Sequence, residues 1–529
     1  MLSSILAVSA IGGPGSDTTA ARLVDPRFRG IQRVDLKATY GARCDGTSHP
    51  LSGLYGSFAA AAAAFPSAGL TSANWSSMEL DTAAFLQAES DLRLGAGGII
   101  GLSDGASMMV SAQLNLQNAA RVWFHGGRNV TLLAAACGTT PAIRLANCSN
   151  VGLPLADFTI LAQPGAVSAS TTGGGVAHTG FAAGSVFLQL DSVQGIDIER
   201  VGWNGYDSPI LWGNHVYGIR FRQSGGSGCN IGFNWSQAAG LDSMERIYFE
   251  GGALANNNYG FYIDATYGTG KTAAQGGSLF IQDSALDYNI VRHGVYVGNP
   301  MNTASPPAVN SYGGNSLHIT GCHIETTGAC SGAAKSRILS QGTLLMSENE
   351  IYENDTTVPT AYVEVADNTA CSMVNNRINN PVMALMSSST SAIKRVSAHG
   401  NVMQDTLARP VMIVDADGPR LQPAATDGDS RLIFGDPNPL TANVYYGARD
   451  ILCDFFGSAS SLTLDDKGFP VGYTFNVWCL ANPVTITVKS GTTLTSFPSN
   501  AFRLTTPGTC AVVRRHSLTE WIVTGPLVA

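Results

Sequence analysis

Asp287 and Glu325 fall at the same place in two versions of one phrase, SLFIQDSALDYN at Ser278–Asn289 and SLHITGCHIETT at Ser316–Thr327. In each, apolar residues alternate around a small polar turn and a carboxylate follows the last apolar position. Two carboxylates in one groove are the basic equipment for cleaving a glycosidic bond. The charge of one keeps the other protonated, so one donates a proton to the leaving oxygen while its neighbour serves as base or nucleophile. Alternation along an extended strand turns both residues outward, and paired strands about 4.7–4.9 Å apart set one above the other. Like charges so placed repel, and His323, two residues before Glu325, is a compensating group on the same face. Glu350 and Glu353 in the next phrase, and Glu245 and Glu250 on the other side, extend the acidic patch. The competing reading is a solvated acidic stripe that keeps a sheet soluble, since charge networks also arise for structural reasons. On the chemical reading, Asp287, Glu325, His323 and Glu250 are the catalytic set, and Tyr288, His293, Glu350 and Glu353 are substrate contacts.

A second chemistry is open at this stage. β-Elimination by a polysaccharide lyase needs a base beside a neutralised uronate, and Arg292, His293 and His323 are available for it; the shortage of Lys and the acidity of the strand face weigh against it. Upstream, WNGYDSPILWGNHVYGIRFRQ at Trp203–Gln223, with Trp235 beyond, mixes aromatic, amide and charged residues. Sugar rings stack their apolar faces on aromatics and offer hydroxyls to polar groups. Trp203, Tyr206, Trp212, Arg222 and Trp235 are therefore expected to bind glycan, against the alternative that the tryptophans fill gaps in a core. ATYGTGKT at Ala265–Thr272 imitates a phosphate loop, but such a loop needs a following helix, and AAQGG leads quickly into another strand. No His/Cys cluster at metal-ligand spacing and no nucleophile elbow in a strand–turn–helix setting is found, so no cofactor or metal is expected.

The elements that must position these residues come from a repeat. ERIYFEGGALANN, SLFIQDSALDYN, SLHITGCHIETT, TLLMSENEIYEN and CSMVNNRINN align in columns. Ile247, Leu279, Leu317, Leu344 and Cys371 form one, Phe249, Ile281, Ile319, Met346 and Met373 a second, and Leu254, Leu286, Ile324, Ile351 and Ile378 a third. Third-column positions recur at intervals of 32, 38, 27 and 27 residues. A restarting phrase with variable loops is the signature of a solenoid, in which each coil buries its apolar face against its neighbours. Gly252, Ser284, Cys322, Asn349 and Asn376 would stack where the strand bends. Weaker copies stand at SVQGIDIERVGW and KRVSAHGNVM.

Composition agrees with many short strands. The 529 residues include 60 Gly and only 13% charged residues. A formal charge of −8 with six Lys offers no basic face for nucleic acid or anionic lipid. No apolar run reaches the roughly 20 residues of a membrane span. The ten Cys are scattered singly, as reduced core residues are, rather than in a disulfide framework. Residues 1–34 read as an attachment arm, 35–425 as the solenoid, and 426–529 as a separate β-sandwich-like domain, for trimerisation or carbohydrate binding, with alternating hairpins in GYTFNVWCLANPVTITVKSGTTLTSFP and CAVVRRHSLTEWIVTG.

The turn GARCDG and the helix LDTAAFLQA, before the first coils, resemble the pectate-lyase-like start of right-handed parallel β-helices. The expected fold is all-β: a right-handed single-stranded parallel β-helix with an N-terminal capping helix and a C-terminal antiparallel β-domain. With the ending PGTCAVVRRHSLTEWIVTG, the chain resembles bacteriophage tailspike depolymerases over most of its length. The resemblance implies a homotrimer on the virion that binds and cuts a bacterial surface polysaccharide, joined to other tail or baseplate proteins through the N-terminal arm. The arm is short beside the large virion-binding heads of some such spikes. The function classes left open are hydrolase, lyase and non-catalytic glycan-binding fibre.

Overall fold

The computed structural model describes residues 31–117, 121–162, 180–213, 215–236, 246–264, 278–287, 295–298, 316–326, 336–340, 343–353, 361–365, 370–379, 383–387, 393–399, 401–404, 413–415, 421–426, 431–433, 440–441, 450–453, 460–464, 471–472, 474–479, 483–488 and 490–529. The chain divides into two compact units, one holding 1–169 and 179–230 and the other 170–178 and 231–529. Among the described residues no helix is long and apolar enough to cross a membrane.

In the first unit the 15-residue helix Leu80–Leu94 buries Leu80, Ala83, Ala84, Phe85, Ala88 and Leu92. Phe85 meets Phe124 edge to face, ring centroids 5.0 Å apart. The adjoining strands climb in parallel register: Arg33–Asp35 on Gly98–Gly101, that strand on Val122–His125, and on through Ile143–Leu161 to Leu188–Asn204. Buried Asp81 ties the start together. Its carboxylate accepts from the Arg43 and Cys44 amides of the GARCDG turn at 2.7 and 3.1 Å and from the Met109 amide at 3.0 Å. The helix and turn read from sequence as the closing cap therefore form one hydrogen-bonded assembly.

The second unit carries the repeat. Ile247 pairs with Leu279, Leu279 with Leu317, Leu317 with Leu344 and Leu344 with Cys371, all in parallel ladders and all buried. The second and third columns pair in the same way, from Phe249 to Met373 and from Leu254 to Ile378. Each fully buried aliphatic side chain contributes about 1.5–3 kcal/mol of transfer free energy, and no coil realises it without the coil above.

Between the second and third columns every coil bends at a residue with left-handed backbone: Gly251, Asp283, Gly321, Glu348 and Asn375, with φ from 49° to 66°. The next residue is Gly252 in the first of these coils and an inward side chain in the others, Ser284, Cys322, Asn349 and Asn376. Asn349 Nδ2 donates to Asn376 Oδ1 at 2.8 Å, and Asn376 Nδ2 to Asn401 Oδ1 at 2.8 Å. The same amides donate to the Ile319 and Met346 carbonyls. The ladder satisfies buried backbone groups that a bend would otherwise leave unpaired. The weaker copy KRVSAHGNVM takes its place on this stack, with Val396 on Cys371, Ala398 on Met373 and Met403 on Ile378.

The C-terminal hundred residues combine parallel and antiparallel pairing. Parallel pairing does not stop near 425: Ile413 pairs with Leu432, Arg431–Ile433 with Asp450–Leu452, and Asp450–Cys453 with Asn476–Cys479. Antiparallel pairing begins on the far side of Thr474–Cys479, against Thr509–Ser517, which forms a hairpin with Glu520–Thr524. CAVVRRHSLTEWIVTG is thus a hairpin as read. Thr474–Cys479 and Val484–Val488 are not paired to each other; Val484–Val488 lies in a different sheet, parallel to Ser460–Leu464. Alternation shows that a strand is half-buried but does not say which strand lies beside it.

Cys44, Cys137, Cys148, Cys229, Cys322, Cys371 and Cys479 are buried free thiols, and Cys510 is a half-buried one. Burial pushes thiols such as Cys371 up to about 12.

Candidate functional site

Asp287 and Glu325 are directly paired residues of adjacent parallel strands, Ala285–Asp287 and His323–Thr326. Leu286 and Ile324 between the outward positions are 1% exposed, so each strand is anchored by its inward residue while its neighbours reach solvent. The bend one step earlier makes that parity obligatory: the αL residue Asp283 or Gly321, then an inward Ser284 or Cys322, then outward Ala285 or His323.

Two outward columns result. One runs Ala253, Ala285, His323, Glu350, Arg377; the other runs Ala255, Asp287, Glu325, Tyr352, Asn379. His323 crosses between them, its Nδ1 lying 3.0 Å from Asp287 Oδ1. Their side chains are 41% and 27% exposed, so the pair is reachable from solvent yet partly sheltered. One ligand-capable atom from each of Asp287, His323 and Glu325 lies within 4.8 Å of the other two. The His323 ring packs at 5.2 Å against the ring of Tyr352, the residue stacked on Glu325. Glu350 is exposed and faces Arg377 across the next rung, Oε1 to Nη1 3.7 Å.

The remaining expected site residues divide sharply. Glu250 is stacked on Gln282, before the bend, in a column that continues through Thr320 and Ser347. It stands in a different column from Asp287 and Glu325. Trp203, Tyr206 and Trp212 are 0%, 1% and 2% exposed. Trp203 stacks on Phe187 with ring centroids 5.6 Å apart, and burial raises the Tyr206 phenol well above its ordinary range. These three are core residues and present no ring face to a sugar. The strand Leu188–Asn204 alternates, and Trp203 shares the parity of inward Val201. Arg222 is partly exposed and bonded to Asp197 at 3.2 Å, an ion pair between neighbouring rungs of the first unit. Trp235 and Glu353 lie in strands Ile231–Ser236 and Glu350–Glu353, with only their backbone described. Tyr288, His293, Arg292, Glu245 and the ATYGTGKT segment lie outside the described residues.

Sequence reading missed a second outward feature, a stack of Tyr248, Phe280 and His318 on consecutive rungs. Ring centroids are 4.8 and 4.5 Å apart, with interplanar angles of 13° and 27°. Burial lowers the pKa of His318. Each member follows a first-column residue by one position, so the column rule would have found the stack had it been applied to outward positions. The rings cover one another's faces, which makes the stack a rung-to-rung support beside the site.

By fold the chain is a parallel β-helix protein. No family model and no curated protein matches it. Among solved structures it is similar to the Pseudomonas phage phi297 tailspike gp61, at 13% identity over 86% of this chain and 87% of that one, TM-score 0.35. It is similar to PfbA, a surface adhesin of Streptococcus pneumoniae, at 11% identity over 93% and 98% of the two chains, TM-score 0.36. A hyperthermoactive exopolygalacturonase from Thermotoga maritima is matched at 10% identity over 90% and 94%, TM-score 0.30.

Proposed function

We propose that this chain is a polysaccharide depolymerase of the phage tailspike kind, cleaving a bacterial surface glycan by hydrolysis with Asp287 and Glu325. The observation that carries the proposal is the pairing of these two carboxylates on adjacent rungs of a solvent-facing strand stack, with an imidazole bonded to one of them. Carboxylate oxygens within 4.8 Å of one another suit a retaining mechanism, for which the carboxyl groups stand about 5–5.5 Å apart, better than an inverting one. Asp287, held by the contact with His323, is assigned as the nucleophile and Glu325 as the acid. Glu325 gives its proton to the glycosidic oxygen as Asp287 forms an ester with the sugar. Water then displaces the ester while Glu325 takes its proton back.

In this reading the protein acts outside the host cell as part of a virion tail, as a homotrimer attached through residues 1–34. The test is mass spectrometry of oligosaccharides released from a panel of capsule, O-antigen and exopolysaccharide preparations. Shortened glycan with the wild type and none with Asp287→Asn supports the proposal. Absence of any shortened glycan leaves a binding fibre.

One observation favours a second reading. His323 and Tyr352 are in ring contact at 5.2 Å, and Arg377 stands one rung beyond Glu350 in the His323 column. A base, a proton donor and a cation are what β-elimination on a uronate requires. New ultraviolet absorbance from an unsaturated uronate would mark that chemistry, and a hydrolase product would lack it.

A further inference from the structure

Asp287, His323 and Glu325 also form a ligand set. We infer that these three side chains bind one divalent transition-metal ion, of the zinc type. Three features carry the inference. First, the donors are of two kinds, one imidazole nitrogen and two carboxylate oxygens, and imidazole selects zinc, cobalt, nickel or copper over the hard cations calcium and magnesium. Second, their ligand atoms lie within 4.8 Å of one another, with His323 Nδ1 and Asp287 Oδ1 at 3.0 Å. Ligands at 2.0–2.2 Å around a tetrahedral ion are about 3.3–3.6 Å apart. Small side-chain rotations therefore convert the present cluster into three ligands with a fourth position open to water. Third, the scaffold fixes the donors. All three come from paired strands anchored by Leu286 and Ile324, and the Tyr352 ring packs on the imidazole. On binding, the imidazole adopts the tautomer protonated at Nε2, so that Nδ1 faces the ion in place of the contact with Asp287 Oδ1.

Binding does not depend on the hydrolytic reading; only its consequence does. An ion on both carboxylates removes the nucleophile and the proton carrier together, so in that reading zinc inhibits cleavage and a chelator restores it.

Isothermal titration of the chelator-stripped full-length protein with zinc chloride and with calcium chloride tests the site without any glycan. One zinc per chain is expected, with calcium at least tenfold weaker. His323→Ala and Asp287→Asn should each weaken that zinc event at least tenfold while far-ultraviolet circular dichroism stays unchanged. Should either variant misfold, Glu325→Gln provides the same readout. No zinc binding, zinc binding unaffected by these substitutions, or calcium binding as tightly as zinc would overturn the inference. Those outcomes leave the glycan-cleavage reading intact. Undiminished glycan cleavage with zinc bound to Asp287 and Glu325 does the reverse: it removes the carboxylate-pair mechanism and keeps the metal site.

Discussion

At the scale of single residues, the pair at the centre of the site was legible because parity along a strand is strict. Once Leu286 and Ile324 are inward, Asp287 and Glu325 must be outward and superposed. Trp203 and Trp212 obey that same parity and face inward, whatever their residue type suggests about sugars. Asp287→Asn and Glu325→Gln keep the shape of each side chain and remove a charge or a proton donor. Either change should cut the rate of glycan cleavage by about 10²–10⁴-fold, with the melting temperature and glycan affinity near wild type. Near-normal cleavage by both variants would reduce the pair to a surface stripe. Acid stability is expected to depend on His125. His125 is buried with Nε2 2.8 Å from the Leu153 carbonyl, and burial lowers its pKa to about 4 from an ordinary value near 6.5. It folds neutral, so between pH 6.5 and 4 the unfolded chain binds a proton that the folded chain does not. Its contribution is full above about pH 6.5 and is lost as pH falls towards 4, up to about 3 kcal/mol. His125→Gln keeps a donor for Leu153. Denaturant midpoints at pH 7, 5.5 and 4.5 should show a shallower decline in this variant than in the wild type; equal declines would place the acid sensitivity elsewhere.

At the scale of elements, the coil was readable and its partners were not. Three apolar columns fixed which residues face inward, and the small residues after the second column fixed the bend, because both patterns are local. Whether a half-buried strand such as Thr474–Cys479 pairs with the next strand or with one a coil earlier depends on loop paths, which alternation does not encode. The asparagine ladder ties the element to stability. Replacing Asn376 by Ala removes its acceptor bond from the Asn349 amide and its donor bond to the Met346 carbonyl, and breaks the link to Asn401. Buried groups left unpaired cost about 1–3 kcal/mol each, so Asn376→Ala should destabilise by about 3 kcal/mol. Outward Ser372→Ala on the preceding strand should stay within about 0.5 kcal/mol. Thermal unfolding of the two variants side by side measures the difference. A melting temperature for Asn376→Ala equal to that of Ser372→Ala would show that water, not the ladder, satisfies the bend.

At the scale of the whole molecule, association is the property that single-chain reasoning reaches least directly, because what drives it is a surface without an inward face to announce it in sequence. The distribution of exposed apolar residues gives the clue. Among the described residues nine large hydrophobic side chains are exposed, and Val471, Phe497, Val512, Leu518 and Val528 lie in the final stretch of the chain. Leu518, at the tip of the last hairpin, is 71% exposed, and Phe497 is 55% exposed. Single exposed apolar residues are ordinary, but Phe497 and Val512 flank Thr524 on neighbouring strands, and an apolar cluster of that kind is what a surface destined for burial presents. Under the proposed function the expected number of copies is three. Light scattering at micromolar concentration should therefore return about three times the 55.1 kDa of one chain. Charged substitutions in this segment, Phe497→Glu with Leu518→Glu, should shift the mass towards one chain while Asp287→Asn leaves it unchanged. A wild-type mass of a single chain would refute association outright, and a trimer indifferent to the two substitutions would move the interface to the coil faces.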